Sequence, residues 1–317
     1  MGSESSPKLP VIDFNKRKNP NNDNEWEGVK SQVHKALQDY GCFEALFDRV
    51  PLELLKSLFV VLKELFDLPL QTKQLNVSNT PFHGYVGQYP QVPLYESLGI
   101  NDACISHKVE TLEKTLWPQG NPSFSKSIQS FAEQVSELDE IVRKMILESL
   151  GVEKYMEEHM SSSSYTVRVM RYEGPQTEEA KLGITSHTDK NIITILHQLN
   201  EIQGLEVKTK DGEWITYHPL SPHSFVVMIG DAFHAWTNGR VYSTFHRVMM
   251  RGNEARYSVG LFSAPKEGHI VKTPEELVDE QHPLLFKPYN HQEFLKYFYT
   301  GLEAQTQKFG LKTFCGV

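Results

Sequence analysis

His187 and Asp189 stand two residues apart in the run Gly183-Ile184-Thr185-Ser186-His187-Thr188-Asp189. Along an extended chain, side chains at i and i+2 point the same way, so an imidazole and a carboxylate can converge there on one small target. Together they make two thirds of the facial triad that holds non-heme Fe(II) and leaves coordination positions open for other ligands. The third ligand must be a histidine from far along the chain. His246, in Ser243-Thr244-Phe245-His246-Arg247-Val248, is the candidate. Beyond it, Arg256-Tyr257-Ser258 again sets two polar side chains on one strand face. A guanidinium beside a hydroxyl grips a carboxylate through charge-assisted hydrogen bonds.

A single His-x-Asp is weak evidence, because such pairs arise by chance on surface strands. The chain offers a second pair of this kind, His291-Gln292-Glu293, in a segment with helical periodicity. On a helix, i and i+2 diverge, so this pair is expected on a solvated surface. What carries the metal-site reading is the ordered set of His187-x-Asp189, a distal His246 and Arg256-x-Ser258, all on strand-like segments.

The elements that must position these residues fall into two halves. Residues 1–150 are expected to form a mostly helical region. Trp26, Val29, Val33 and Leu37 recur at helical spacing, and Gly41 stops that helix before a short strand over 42–47. Pro51 opens a second helix with Leu54, Leu55, Leu58, Phe59, Leu62 and Phe66 on its buried side. Residues 78–119, rich in Pro and Gly, are expected to be irregular and to present Phe82, His83, Tyr85 and Tyr89 to a ligand or to the core. The longest helical pattern covers 124–150 and ends at Gly151. Residues 151–317 are then expected to open with a short helix and a Ser loop over 161–164. A series of short strands follows from Tyr165 to Ser263, broken by turn signals such as Asp211-Gly212 and Asn238-Gly239. Strands of this number and spacing predict a two-sheet jelly roll, closed by a C-terminal helical region over 273–308. The fold class is therefore α+β: a double-stranded β-helix core with flanking N-terminal and C-terminal helices.

At 317 residues the chain can bury a sizeable core, and 39% hydrophobic with 23% charged residues is ordinary for a globular protein. The net charge of −8 argues against nucleic acid or an anionic membrane as the main partner. No apolar run approaches a membrane span. Residues 1–8 are polar and expected to be frayed, with Gly2 and Ser6 matching part of a myristoylation pattern. Residues 16–25 read as a charged loop. Three widely spaced cysteines (Cys42, Cys104, Cys315) suggest neither disulfides nor zinc, and a reduced, cytoplasmic setting is expected. A monomer is the expected state.

Beyond the site residues, several stretches carry a family likeness. Leu9-Pro10-Val11-Ile12-Asp13-Phe14 is similar to an opening strand, and Asp39-Tyr40-Gly41-Cys42-Phe43 stands where a Trp-Gly-Phe-Phe run is usual. With Tyr95-Glu96-Ser97-Leu98-Gly99-Ile100 and Trp117-Pro118-Gln119-Gly120-Asn121-Pro122, the chain resembles the plant 2-oxoglutarate- and Fe(II)-dependent dioxygenases. The branch it resembles includes alkenyl-glucosinolate-forming, steroidal-alkaloid-hydroxylating and auxin-oxidising enzymes. The resemblance implies Fe(II) on His187, Asp189 and His246. It also implies 2-oxoglutarate held at its distal carboxylate by Arg256, Ser258 and Tyr172, with O2 as oxidant and ascorbate as a stimulant. Met170 departs from the pattern, replacing an Asn that contacts the co-substrate, and Arg168 is a possible stand-in. Phe262 matches a position whose ring often faces substrate, and Phe82 and Tyr85 are further substrate-binding candidates. The implied reaction forms succinate and CO2 while hydroxylating, desaturating or dealkylating a small, largely apolar plant metabolite or hormone. The competing reading is a catalytically inactive small-molecule-binding relative, which would form no succinate.

Overall fold

The computed structural model describes residues 8–16, 23–303 and 310–317. The start expected to be frayed, with its Gly2–Ser6 pattern, lies outside these residues but for Lys8, as does most of the loop expected over 16–25. Fourteen strands are found among the described residues: β1 (Val11–Asp13), β2 (Cys42–Leu46), β3 (Tyr85–Val86), β4 (Tyr95–Asn101), β5 (Ser163–Tyr172), β6 (Thr177–His187), β7 (Ile193–Gln198), β8 (Leu205–Lys208), β9 (Trp214–Thr216), β10 (Ser224–Ile229), β11 (His246–Gly252), β12 (Arg256–Pro265), β13 (Ile270–Val271) and β14 (Tyr289–Asn290). The helices are α1 (Asp23–Asp39), α2 (Leu52–Asp67), α3 (Leu70–Lys73), α4 (Ser106–Leu116), α5 (Pro122–Ser149), α6 (Met156–Ser161), α7 (Asp231–Trp236), α8 (His291–Glu303) and α9 (Leu311–Cys315).

One sheet of eight strands, ordered β1-β2-β10-β7-β12-β5-β4-β3, faces a four-stranded sheet ordered β6-β11-β8-β9. The large sheet is covered on both faces, and strand periodicity decides which residue goes to which side. On β10, Phe225, Val227 and Ile229 join the core against α1, α2 and α5, while Val226 and Met228 turn towards β8 and β9. On β5, Val167 and Val169 face the helices, so Arg168, Met170 and Tyr172 face the smaller sheet. The antiparallel register of β12 then sets Arg256 opposite Tyr172 and Ser258 opposite Met170. The alternation of polar and apolar residues on β5 and β12 thus becomes a wall of site residues backed by core.

Helix α5 is the scaffold of the helical layer. Asn121 caps it by accepting from the Phe124 backbone N–H, Pro122 stands in its first turn, and Gly151 follows it at φ +67°. Phe124, Ile128, Phe131, Val135, Leu138 and Val142 are fully buried along its inner face.

Three segments differ from the sequence expectation. The stretch over 78–119 contains β4 and α4. Strand β4 is buried on both faces and carries Glu96 and Ser97 inside, so its sequence shows no alternation. Glu96 is tolerated there because Lys73, Arg171 and the Tyr85 hydroxyl surround it. The Ser tract is not wholly loop, since Ser163 and Ser164 begin β5 against Pro265 and Ala264. The C-terminal helix starts only at His291, and the chain before it forms the short β13–β14 pair and a single 3-10 turn over Glu275–Leu277.

The His197 imidazole is buried on β7, where it bonds the Ser224 carbonyl at 3.0 Å and packs on Phe225. Burial pushes its pKa from 6.5 down to about 4. Between these values the unfolded chain takes up a proton that the folded chain refuses, so stability falls as pH drops from 6.5 towards 4. This group is expected to remove roughly 3 kcal/mol over that window. Urea unfolding at pH 7 and pH 4.5 should show the loss in the native protein and a flatter dependence in His197→Leu.

Candidate active site

His187 is the last residue of β6 and His246 the first of β11, and the antiparallel pairing sets the two directly opposite each other. Their rings lie 4.3 Å apart between centroids. Asp189 is not on the strand; it sits in the turn just past the end of β6. Its Oδ1 is nevertheless 3.7 Å from His187 Nε2 and 3.8 Å from His246 Nε2. One donor atom from each of the three lies within 4.8 Å of the other two.

The tautomer follows from the hydrogen bonds. A carbonyl oxygen can only accept, so His187 Nδ1–H donates to the Thr185 carbonyl at 2.7 Å and Nε2 keeps its lone pair towards Asp189. His246 Nδ1 faces the Thr244 carbonyl in the same manner at 3.5 Å. Burial, helped by the neighbouring His246, pushes His187 down to about 4. Burial alone would raise Asp189, but His246, His187, the Thr194 hydroxyl and Lys190 outweigh it and hold the carboxyl below its usual range. At neutral pH His187 is therefore neutral and Asp189 ionised, the protonation states that a transition metal requires.

A second carboxylate, which nothing in the sequence pattern singled out, holds this arrangement in place. Asp231 is buried at the start of α7 and accepts from Thr188 Oγ1 at 3.1 Å, Lys190 Nζ at 2.7 Å and Ser243 Oγ at 2.7 Å. Its backbone N–H donates to the Asp189 carbonyl at 2.7 Å. The turn carrying Asp189 is thus tied to α7 on both flanks, and Thr194 Oγ1 bonds Asp189 Oδ2 at 2.5 Å. His234, on the same helix, lines the cavity but gives its Nδ1–H to the Val241 carbonyl and packs on Phe286.

Arg256 is 3% exposed and bonds Ser258 Oγ at 3.1 Å. Its guanidinium lies 5.5 Å from the Tyr172 ring, and its Nε has no partner. Among the described residues no carboxylate pairs with it, although burial alone already disfavours its charge. Met170 fills the place of the expected Asn, and the Tyr172 hydroxyl leans on its sulfur at 3.8 Å. Arg168 pairs in register with Gly260. Its backbone is therefore four residues along the strand from the Arg256–Tyr172 pair, roughly 13 Å away, while its guanidinium charge still acts on the Tyr172 hydroxyl.

These residues share the wall of a cavity of about 1000 Å³. Phe82 and Phe262 line it, the former at a left-handed φ of +65° with its ring stacked 4.7 Å from Tyr299. Tyr85 does not line it; its hydroxyl donates to Glu96 at 2.8 Å. His291, expected on a solvated surface, is 2% exposed and reaches the cavity from the first turn of α8. The helical periodicity there was legible, but which side of the helix is covered depends on where α8 lies over the sheets.

A donor set of two imidazoles and a carboxylate suits Fe(II), and an uncompensated buried guanidinium beside it suits a carboxylate ligand. Comparison with known proteins agrees. Residues 163–265 match the 2OG-Fe(II) oxygenase superfamily, and residues 9–119 match the N-terminal region of non-haem dioxygenases in morphine synthesis. The chain belongs to the 2-oxoglutarate- and Fe(II)-dependent oxygenases: it is a dioxygenase that uses Fe(II) and takes 2-oxoglutarate as co-substrate. It is 52% identical over 298 residues to a protein of Arabidopsis thaliana described as a probable 2-oxoglutarate-dependent dioxygenase, AOP1.2, covering 92% of this chain and 91% of that one. Its structure is similar to the dioxygenase for auxin oxidation of rice (TM-score 0.79, 27% identity, 98% of this chain and 100% of that one). It is also similar to AtDAO1, the Arabidopsis thaliana dioxygenase for auxin oxidation, in its complex with 2-oxoglutarate (TM-score 0.77, 25% identity, 87% and 99%).

Replacing Asp231 by Asn removes the acceptor charge that Lys190 and Ser243 hold. Metal affinity is expected to fall roughly 10- to 100-fold. Mn(II) titration followed by electron paramagnetic resonance would register this, with circular dichroism unchanged.

Proposed function

We propose that His187, Asp189 and His246 hold the Fe(II), and that Arg256, Ser258 and Tyr172 grip the distal carboxylate of 2-oxoglutarate. The observation that supports this most is the Arg256 guanidinium, buried on the same cavity wall as the three metal-ligand candidates with no acidic partner among the described residues. Burying an unpaired charge is strongly unfavourable, so a fold that keeps one has a ligand to receive it. The fork of Arg256 and the Ser258 hydroxyl would fix one end of the co-substrate and direct its keto-acid end towards the trio. Bound there, Fe(II) supplies the O2 activation that couples conversion of 2-oxoglutarate to succinate and CO2 with oxidation of the substrate. Tyr172 covers the guanidinium and keeps water from it, while Met170 leaves the grip one polar contact short of the family pattern.

The substrate on this reading is a small plant specialised metabolite or hormone with a largely apolar body, packed against Phe82 and Phe262. The two facing sheets are read as a double-stranded β-helix within residues 151–317. Residues 1–150 form a mostly helical region that packs on it and lends edge strands. A monomer in the cytoplasm suits three cysteines that are all free thiols. No helix among the described residues is long and apolar enough to cross a membrane.

Anaerobic titration with Fe(II) and 2-oxoglutarate tests the site. A visible metal-to-ligand charge-transfer band is expected in the native protein and none in His187→Ala. A folded native protein that gives no band would refute the ligand assignment. Arg256→Leu should raise the half-saturating 2-oxoglutarate concentration roughly 10- to 100-fold, as measured by the same band, because charge-assisted hydrogen bonds are lost.

A further inference from the structure

We infer that Phe298 is a positioning residue for the metal site: its ring lies on the Lys190 ammonium, so the seating of α8 over the cavity sets how rigidly Asp189 is presented. This rests on the assignment of Asp189 to the Fe(II) and adds to it a contact from outside the two sheets.

Helix α8 reaches the cavity through helical spacing. His291, Leu295 and Phe298 fall at i, i+4 and i+7 on one side of the helix, and all three line the cavity wall. Phe294 of the same helix is fully buried and packs on Tyr289 and Phe314, with ring centroids 5.7 and 5.3 Å away. These rings anchor the helix and hold Phe298 over the turn that follows β6. There the centre of its ring is 4.3 Å from Lys190 Nζ.

Lys190 is the residue next to Asp189 in the chain. An ammonium has three N–H groups, and here they go to the Thr188 carbonyl at 2.7 Å, Thr188 Oγ1 at 2.6 Å and Asp231 Oδ2 at 2.7 Å. The ring replaces none of these bonds; it lies on a face that they leave. The Lys190 and Asp231 side chains are only 9% and 8% exposed, although both line the cavity. Water admitted to this ion pair would screen and weaken it. An aliphatic side chain of similar size would also exclude water. The aromatic face adds the attraction of its negative quadrupole for the cation, which is strongest away from solvent. From Lys190 the path to the metal ligands is short. Asp231 takes Thr188 and Lys190, the residues on either side of Asp189, and its own N–H holds the Asp189 carbonyl at 2.7 Å. Loosening Lys190 leaves Asp231 short of a partner and the turn free to shift. Asp189 Oδ1 would then move relative to His187 and His246, whose Nε2 atoms it now faces at 3.7 and 3.8 Å.

Two readouts on the full chain test this. Hydrogen–deuterium exchange of the Asp231 amide, followed by mass spectrometry on metal-free protein, reports the tie to Asp189. Mn(II) titration followed by electron paramagnetic resonance reports the donor set. Phe298→Leu should speed the exchange and weaken Mn(II) binding, each roughly 3- to 30-fold, the worth of a cation–π contact held away from solvent. Phe298→Tyr keeps the ring face and should stay within about twofold of the native protein. Pentafluorophenylalanine in place of Phe298 keeps the shape of the ring but removes its negative face, and should behave as Phe298→Leu does. In a Lys190→Met background the Phe298→Leu change should have no further effect. Leu, Tyr and fluorinated proteins that all match the native one, or that all weaken alike, would overturn the proposal. The first result would leave Phe298 idle, and the second would reduce it to packing. So would a Phe298→Leu effect that persists in full beside Lys190→Met. Should Phe298→Leu not fold, the comparison of native and fluorinated rings still decides. A native protein that binds no Mn(II) would refute the metal assignment separately, while the exchange measurement, made without metal, would still decide on the hold of α8 over the turn.

Discussion

Everything at the site depends on the large sheet being covered on both faces. A strand buried on both sides has no solvent face to which polar residues can be relegated. Its inward polar side chains must therefore find partners or be left for a ligand. On β5 and β12 the helix-facing positions are Val167, Val169, Val259 and Leu261, which pack as ordinary core. The opposite positions hold Arg168, Arg256 and Ser258, and no carboxylate of the described residues pairs with either guanidinium there. The cavity is the space between the sheets where polar groups outnumber their protein partners.

The electrostatics of this space run against those of the whole chain. The molecule carries a net charge of −8, yet its interior cavity presents two guanidiniums without acidic partners among the described residues. Net charge governs the surface field, whereas a buried site is governed by its nearest few groups. Lys190, a cavity cation that is neutralised, is spent on structure. Together with Thr188 and Ser243 it saturates Asp231, which frees Asp189 to face the two imidazoles.

Much of the site was legible because strand periodicity is a short-range rule. His187, His246, Arg256 and Ser258 could be assigned to faces from their own neighbours, and the fold brings them to one cavity. The metal trio needed one further fact that no local rule supplies, namely that β6 and β11 pair with His187 opposite His246. Asp189 reached the same point from a turn rather than a strand, so the i and i+2 argument gave the right partner through a different geometry. Asp231, Thr194 and His291 were not legible. Their roles come from where α7, β7 and α8 sit in three dimensions, and each looks ordinary in its own stretch of chain. Strand β4 was missed for a related reason: Lys73 and Arg171 neutralise Glu96 from elsewhere in the fold, erasing the polar alternation by which a strand is recognised. Helix α4 sets Val109, Leu112 and Leu116 at helical spacing against the core, a short pattern that the Pro- and Gly-rich run before it obscured.

The placement of His187 and His246 at facing strand ends links ligand supply to folding. In the unfolded chain these residues are far apart in sequence and no preformed trio exists, so an ion held by all three binds the native state alone. Such binding adds RT ln(1 + [M]/Kd) to stability, about 2.7 kcal/mol when the ion is present at a hundred times its dissociation constant. The ends of β6 and β11 are where a sheet would otherwise fray, and the ion would act there as a clasp. A cell poor in iron would then hold not only a less active enzyme but a shorter-lived one.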